Sequence, residues 1–573
     1  MKDKKKRLLI TLLLATTFCA TQPSVAAQSE LDHHEKIIAG LRSSNDVRPP
    51  EPEVHPVAAQ FNREAVIPPQ CYTRTEGQYN PCYVCHQNAI EGRENVMNDG
   101  GLQVAYSFSD EGLVNHWQNL FEDRSEAVKK ISDDEILEWV NQDNYSDLTA
   151  RLKEAKFEGW IPDLNGLHLA EKAFDEAGFA KDGSGWVAFN YKPLPSTFWP
   201  TNGSTDDVMI RLAEDFRVNE HGEYVEDIYK ANLAILEASI KSLNKISSLP
   251  IDERKIGKDL NADGKLEVIE NITVVDRYVG KAEKIWLEKT IYPAGTEFLH
   301  TVRYLGVDEK NQIGISTRMK EVRYMRKWRS YLKSVYARQY QLEAYEKEAG
   351  HLPGYNRIGD HGLDNGTGWA IQGFIEARDG SLRIATHEEN FFCMGCHNSI
   401  GSTIDKTFSF ARKPDGAAGW GYINLKGMPD VPNKGETEGE ILTYLRRVGG
   451  GGEFRSNEEM YARWFKENGE VNEDKVRAAK DVYELITPSL SRAMQLNKAY
   501  RTIVEQQDYI YGRDATVAPP KNVYDQVSNE SSPTLPAEKI YAWDIRLDWL
   551  KNNITNENGF EKNHTPVILT KNN

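Results

Sequence analysis

Cys82, Cys85 and His86 stand in the stretch NPCYVCHQN, and Cys393, Cys396 and His397 in FFCMGCHNS. With 6 cysteines and 13 histidines among 573 residues, a double occurrence of Cys-x-x-Cys-His is not an accident of composition. Two thiols one helical turn apart can reach the vinyl groups on one side of a porphyrin and form thioethers. The adjacent imidazole is then held against the ring face, where its nitrogen bonds the iron. The spacing points to two covalently bound haem c groups, with His86 and His397 as the metal-ligating histidines. Zinc fits less well, because structural zinc pairs lie closer together and a His directly after the second Cys is unusual for them.

At these two motifs the chain resembles the c-type cytochromes. Beyond the second, LKGMPDVP places Gly427, Met428 and Pro429 where the resemblance implies a distal methionine, so Met428 is the expected second ligand there. For the first haem, His55, Met97 and His116 are distal candidates. His361, in RIGDHGLDNGTGW, follows Asp360 in a glycine-rich loop. It could ligate either iron, act as a catalytic acid or base, or merely stabilise a turn. Cys71 is left over: either an inert buried thiol, or a ligand like the cysteine of di-haem thiosulfate-oxidising cytochromes.

A different chemistry is written in DLNADGKLEVIE, Asp259 to Glu270. It matches the twelve-residue EF-hand loop: Asp259, Asn261 and Asp263 as oxygen donors, Gly264 at the sharp turn and Lys265 through its carbonyl. Glu267 could act through water, and Glu270 close the site. A strand-like segment follows, similar to isolated calcium loops of exported proteins, so Ca2+ is expected as a structural staple.

The chain opens MKDKKKRLLITLLLATTFCATQPSVAAQSE, a basic start, a short apolar core and small residues, which is a cleavable signal peptide ending at Ala27. Thr16, Thr17 and Phe18 before Cys19 fit lipid attachment poorly, so a soluble periplasmic protein is expected. No later apolar run is long enough to span a bilayer. The chain carries −16 overall; residues 1–27 hold +4, leaving −20 on the rest. Such acidity argues against nucleic acid as a partner. Hydrophobic content of 39% and charged content of 27% are those of an ordinary globular protein.

The elements that position the motifs are expected to be mainly α, with two cytochrome c-like haem-binding segments flanking an α+β insert. The division is 1–27 signal peptide, 28–69 extended arm, 70–107 first haem segment and 108–320 insert with the calcium loop. Then follow 321–387, a long helix and Gly-rich loop, 388–515, the second haem domain, and a 516–573 tail. Ser132 three residues before Glu135 predicts a helix start. VEDIYKANLAILEASIKSL reads as a helix, and 266–315, rich in Val, Ile, Tyr and Thr, as a small antiparallel sheet. From Glu321 the residues Tyr324, Trp328, Tyr331, Val335, Leu342 and Tyr345 recur at helical spacing, predicting a core-facing stripe. Arg323, Arg326, Lys327, Arg329 and Lys333 make its basic face, which could meet an acidic surface or haem carboxylates.

Two functions follow. One is electron transfer, with other redox proteins as donor and acceptor and no membrane span. The alternative is a di-haem redox enzyme, resembling the di-haem peroxidases and oxygenases or the sulfur-compound oxidisers, with one electron-transfer haem and one catalytic haem.

Overall fold

The segment from Glu297 to Lys327 alternates side chains of unlike kind, with Phe298, His300 and Val302 on one parity and Leu299, Thr301 and Arg303 on the other. Strand geometry sends such alternation to opposite faces. In the computed structural model it forms the long hairpin at the centre of the fold. The structure describes residues 65–551 except 89, 91–96, 106–107, 110, 197, 515 and 529–533. The leader, Cys19 and His55 lie outside the described residues. Everything described falls in one compact unit, residues 54–573.

The strands are β1 (Val187–Ala188), β2 (Thr205–Arg211), β3 (Lys245–Asp252), β4 (Val268–Thr273) and β5 (Glu297–Val307). They continue as β6 (Ile313–Lys327), β7 (Asn356–Arg357), β8 (Leu363–Asp364), β9 (Trp369–Glu376) and β10 (Leu382–Ile384). Eight make one antiparallel sheet, in the order β1-β2-β5-β6-β9-β8-β7 with β10 added on β9; β3 and β4 pair separately. The β5–β6 turn is set by Asp308, whose carboxylate accepts the N–H groups of Lys310 at 2.8 Å and Gln312 at 2.7 Å. The helices that matter below are α1 (Glu226–Lys241), α2 (Lys333–Glu348), α3 (His387–Met394), α4 (Glu440–Val448) and α5 (Leu490–Gln506).

The mainly α expectation fails: the fold is mixed, built on this sheet. The reason lies in residues 321–327, which were expected to open a long helix. Their aromatic spacing suits a helix, yet Val322 and Tyr324 also alternate with Arg323 and Met325. Pairing with β5 on one side and β9 on the other settles the ambiguity in favour of strand. Only Lys333–Glu348 is helical, and the expected apolar stripe does not hold there. Leu342 is 46% and Tyr345 58% exposed, while Tyr336 is the aromatic that is buried.

Each face of the sheet is covered. Met209, Leu299, Val322, Tyr324 and Phe374 pack with Tyr145, Leu148, Leu152 and Trp186. Val208, Phe298, Met325 and Ile371 belong to the larger core that includes Phe391, Phe392 and Cys393. Helix α5 closes one end against Tyr304, Leu305 and Ile375. Ser132 caps its helix as expected, accepting the N–H of Glu135 at 3.1 Å. The C-terminal segment is held in the core by Trp543, Ile545, Leu547 and Trp549.

Candidate functional site

Both Cys-x-x-Cys-His motifs adopt the same local turn. In the first, Pro81–Val84 forms a short 3-10 helix capped by Asn80, whose side chain accepts the Tyr83 N–H. The N–H groups of Cys85 and His86 both return to the Cys82 carbonyl, at 3.1 and 2.9 Å. In the second, α3 begins with a reciprocal capping box between Thr386 and Glu389, and places Cys393 in its last turn. Cys396 and His397 return to the Cys393 carbonyl at 3.3 and 3.1 Å. Each motif therefore presents two free thiols and an imidazole from one turn.

The tertiary fold brings the two turns side by side. Ser402 donates its N–H to the Cys85 carbonyl at 2.9 Å. The Gln87 side chain donates to the Gly401 carbonyl, a contact between residues 314 positions apart. Asp99 ties the same place together: its carboxylate accepts from His86 Nδ1 at 2.7 Å, from the Gln87 N–H at 2.9 Å and from the Gly401 N–H at 3.4 Å. Replacing this buried carboxylate with Ala would leave those donors without a partner. Asp99→Ala is therefore expected to cost about 1–3 kcal/mol, read as a lower urea midpoint, with Asp99→Asn retaining part of the loss.

The two imidazoles are oriented alike. His86 gives its Nδ1 proton to Asp99, and His397 gives its own to the Lys406 carbonyl at 2.8 Å. An acceptor-only partner fixes a proton on Nδ1, so Nε2 is the nitrogen each ring turns toward any further group. Burial pushes His397 down to about 4, so it is neutral at ordinary pH. Burial likewise pushes the Cys82 and Cys396 thiols up to about 12.

Cys393 and His397 open onto a cleft between α3 and the sheet. Its floor is the sheet face carrying Val208, Phe298, His300, Arg323, Met325 and Ile371. Its opposite wall includes Thr407, Phe408, Ser409 and Arg412. Apolar side chains and a set of polar and charged ones, Asp206, Arg323 and Arg412 among them, line the cleft together, the usual character of a cofactor site. His300 and Arg323 face each other directly across β5 and β6. Sequence reading missed His300; its only signal was an odd polar residue on the apolar parity of a strand.

Other expected site residues lie elsewhere. Met428 is fully buried, bonded through its carbonyl to the Val482 N–H, and is not among the residues bordering the cleft. His361 packs edge-on against Trp160, which stacks on Tyr324. Tyr324 faces the opposite side of the sheet from Arg323, so His361 is across the sheet from the cleft. His116 bonds the Glu111 carbonyl near the surface, and Met97 is buried beside Lys347. Cys71 lies close to Cys82 and Cys396, and burial pushes its thiol well up.

The calcium expectation is corrected. The loop forms locally: Asp259 accepts the N–H groups of Ala262 and Gly264, and Asp263 that of Lys265. Glu267 and Glu270, however, sit at and in β4 rather than on a following helix, and with Asn261 and Asp263 they border an open groove. Among the described residues no three His, Cys, Asp or Glu side chains converge to hold a metal ion. Asx-type turns account for Asp259 and Asp263 without a ligand.

A family model for "-like lipoprotein" chains matches residues 54–483. An uncharacterized lipoprotein of Aquifex aeolicus (strain VF5) is 32% identical over 514 residues, covering 79% of this chain and 86% of the relative. The chain belongs to this lipoprotein family. That corrects the assignment to the c-type cytochromes: the chain resembles them only at its two short motifs, and it surrounds those motifs with a large antiparallel sheet. No solved structure matches it. No helix among the described residues is long and apolar enough to cross a membrane.

Proposed function

We propose that this protein is an exported electron-transfer protein that holds haem covalently at both motifs, on a fold built around a large antiparallel sheet. The observation that carries this reading is the paired geometry. Two Cys-x-x-Cys-His turns from distant parts of the chain are stitched together, each with its histidine Nδ1 engaged and its Nε2 free. Cys82, Cys85 and His86 would hold one group; Cys393, Cys396 and His397 would hold the other. Haem supplies reversible one-electron chemistry. The chain's own part is to fix the ring-facing imidazoles, to wall off solvent with Phe298, Met325 and Phe408, and to place the two centres close together. Arg323 offers a guanidinium to porphyrin carboxylates from the cleft floor.

The export reading rests on the leader-like first 27 residues and on family membership. Lipid attachment, against which Thr16, Thr17 and Phe18 spoke, is restored to consideration by the family, and Cys19 is the cysteine it would use. A periplasm-facing position anchored by acyl chains is the consequent proposal.

Mass spectrometry of protein expressed with a cytochrome c maturation system, after denaturation and solvent extraction, tests the haem reading. Two haem masses should remain on the chain. The double variant Cys393→Ser/Cys396→Ser should retain one. A wild-type chain carrying no covalent haem sinks the proposal.

A further inference from the structure

We propose that His300 is the second axial ligand to the iron held by His397, making that centre bis-histidine. This deepens the haem reading of the second motif and rests on it. The geometry begins with the sheet. His300 lies on β5 on the parity that floors the cleft, while Cys393 and His397 enter from the opposite wall. A flat ring attached at Cys393 and Cys396 and resting on His397 would therefore present its other face to the sheet. His300 is the imidazole on that floor.

A further observation favours it over the other donors present. The His300 Nε2 is buried and makes no hydrogen bond, which is costly for a polar nitrogen among Phe198, Val208 and Phe298 unless it serves a ligand. The nearest carboxylate oxygen, Asp206 Oδ2, stands 3.4 Å away and accepts the Tyr191 hydroxyl proton instead. Met325 also borders the cleft and carries a thioether, so it is the rival ligand that the experiment must separate.

The test uses holoprotein, with haem content counted first by pyridine haemochrome and mass spectrometry. In wild type, electron paramagnetic resonance should show this centre as low-spin ferric, and its near-infrared charge-transfer band should be that of two imidazoles. His300→Ala should keep both haems attached but convert one to high-spin, with ferrous CO binding rising from none at that centre to one equivalent. Added imidazole should return it to low-spin. His300→Met should stay six-coordinate and gain the far-red thioether band, which keeps the test available if the alanine variant folds poorly. A wild-type thioether band that Met325→Leu abolishes would overturn the assignment, as would a high-spin wild-type centre unaltered by His300→Ala. Both results leave the haem reading standing. Absence of covalent haem would overturn the two together.

Discussion

Lys327→Met is expected to destabilise the protein by about 3–5 kcal/mol, the cost of leaving one member of a buried ion pair alone. Lys327 ends β6 with its side chain fully buried, as is that of Asp405. Its Nζ donates to both Asp405 oxygens, at 2.7 and 2.9 Å, to the Tyr336 hydroxyl at 2.6 Å and to the Thr367 carbonyl at 3.1 Å. Burial pulls the lysine below its usual range, with Asp405 opposing that shift. Removing the ammonium leaves the buried Asp405 carboxylate without its ion-pair partner.

The effect should reach the site as well as the stability. Asp405 and Lys406 both have φ in the left-handed region, at 47° and 64°, so their turn is held by its contacts rather than by preference. That turn presents the Lys406 carbonyl to His397. Urea unfolding should show the midpoint shift. The double variant Lys327→Met/Asp405→Leu should recover most of it, because no uncompensated charge is then buried. A single variant within about 0.5 kcal/mol of wild type, in the range of ordinary surface changes, would refute the account.

Glu453→Gln is expected to stabilise the protein at alkaline pH and to do little at pH 5. Burial raises the Glu453 carboxyl from 4.5 to about 8, and one of its oxygens has no hydrogen-bond partner. The other accepts the Tyr444 hydroxyl at 2.5 Å. Because the folded pKa is raised, the native state holds this proton more tightly than the unfolded chain between those two values. Stability therefore falls as pH rises through that window, by up to about 1.4 kcal/mol per unit. Glutamine keeps the shape and cannot ionise. Melting temperatures of both proteins from pH 4.5 to 8.5 should diverge steadily in favour of the variant. Parallel curves would mean that the carboxylate is not desolvated as described. The difference between the two proteins is the proper measure, since Lys320 and Glu376, both placed at about 7, titrate in the same range in each.

What the sequence determined by itself is local. Cys-x-x-Cys-His folds as one turn because its bonds run from residue i to i+3 and i+4, and no distant partner is needed. Ser132 and Thr386 start helices for the same reason, as their side chains satisfy N–H groups three residues on. The segment 226–241 is helical as its pattern predicts. What only the tertiary structure decided is every pairing across long separations. Residues 321–327 carry a pattern compatible with two periods, and hydrogen bonds to β5 and β9 chose between them. His300 and His397 share a cleft because a strand and a helix end pack together; nothing near either residue announces the other. His361, next to a carboxylate in a glycine-rich loop, had the stronger local signal, yet the sheet puts it on the wrong side. A strand's alternation says that two faces exist, but only packing against the second motif says which face becomes a floor.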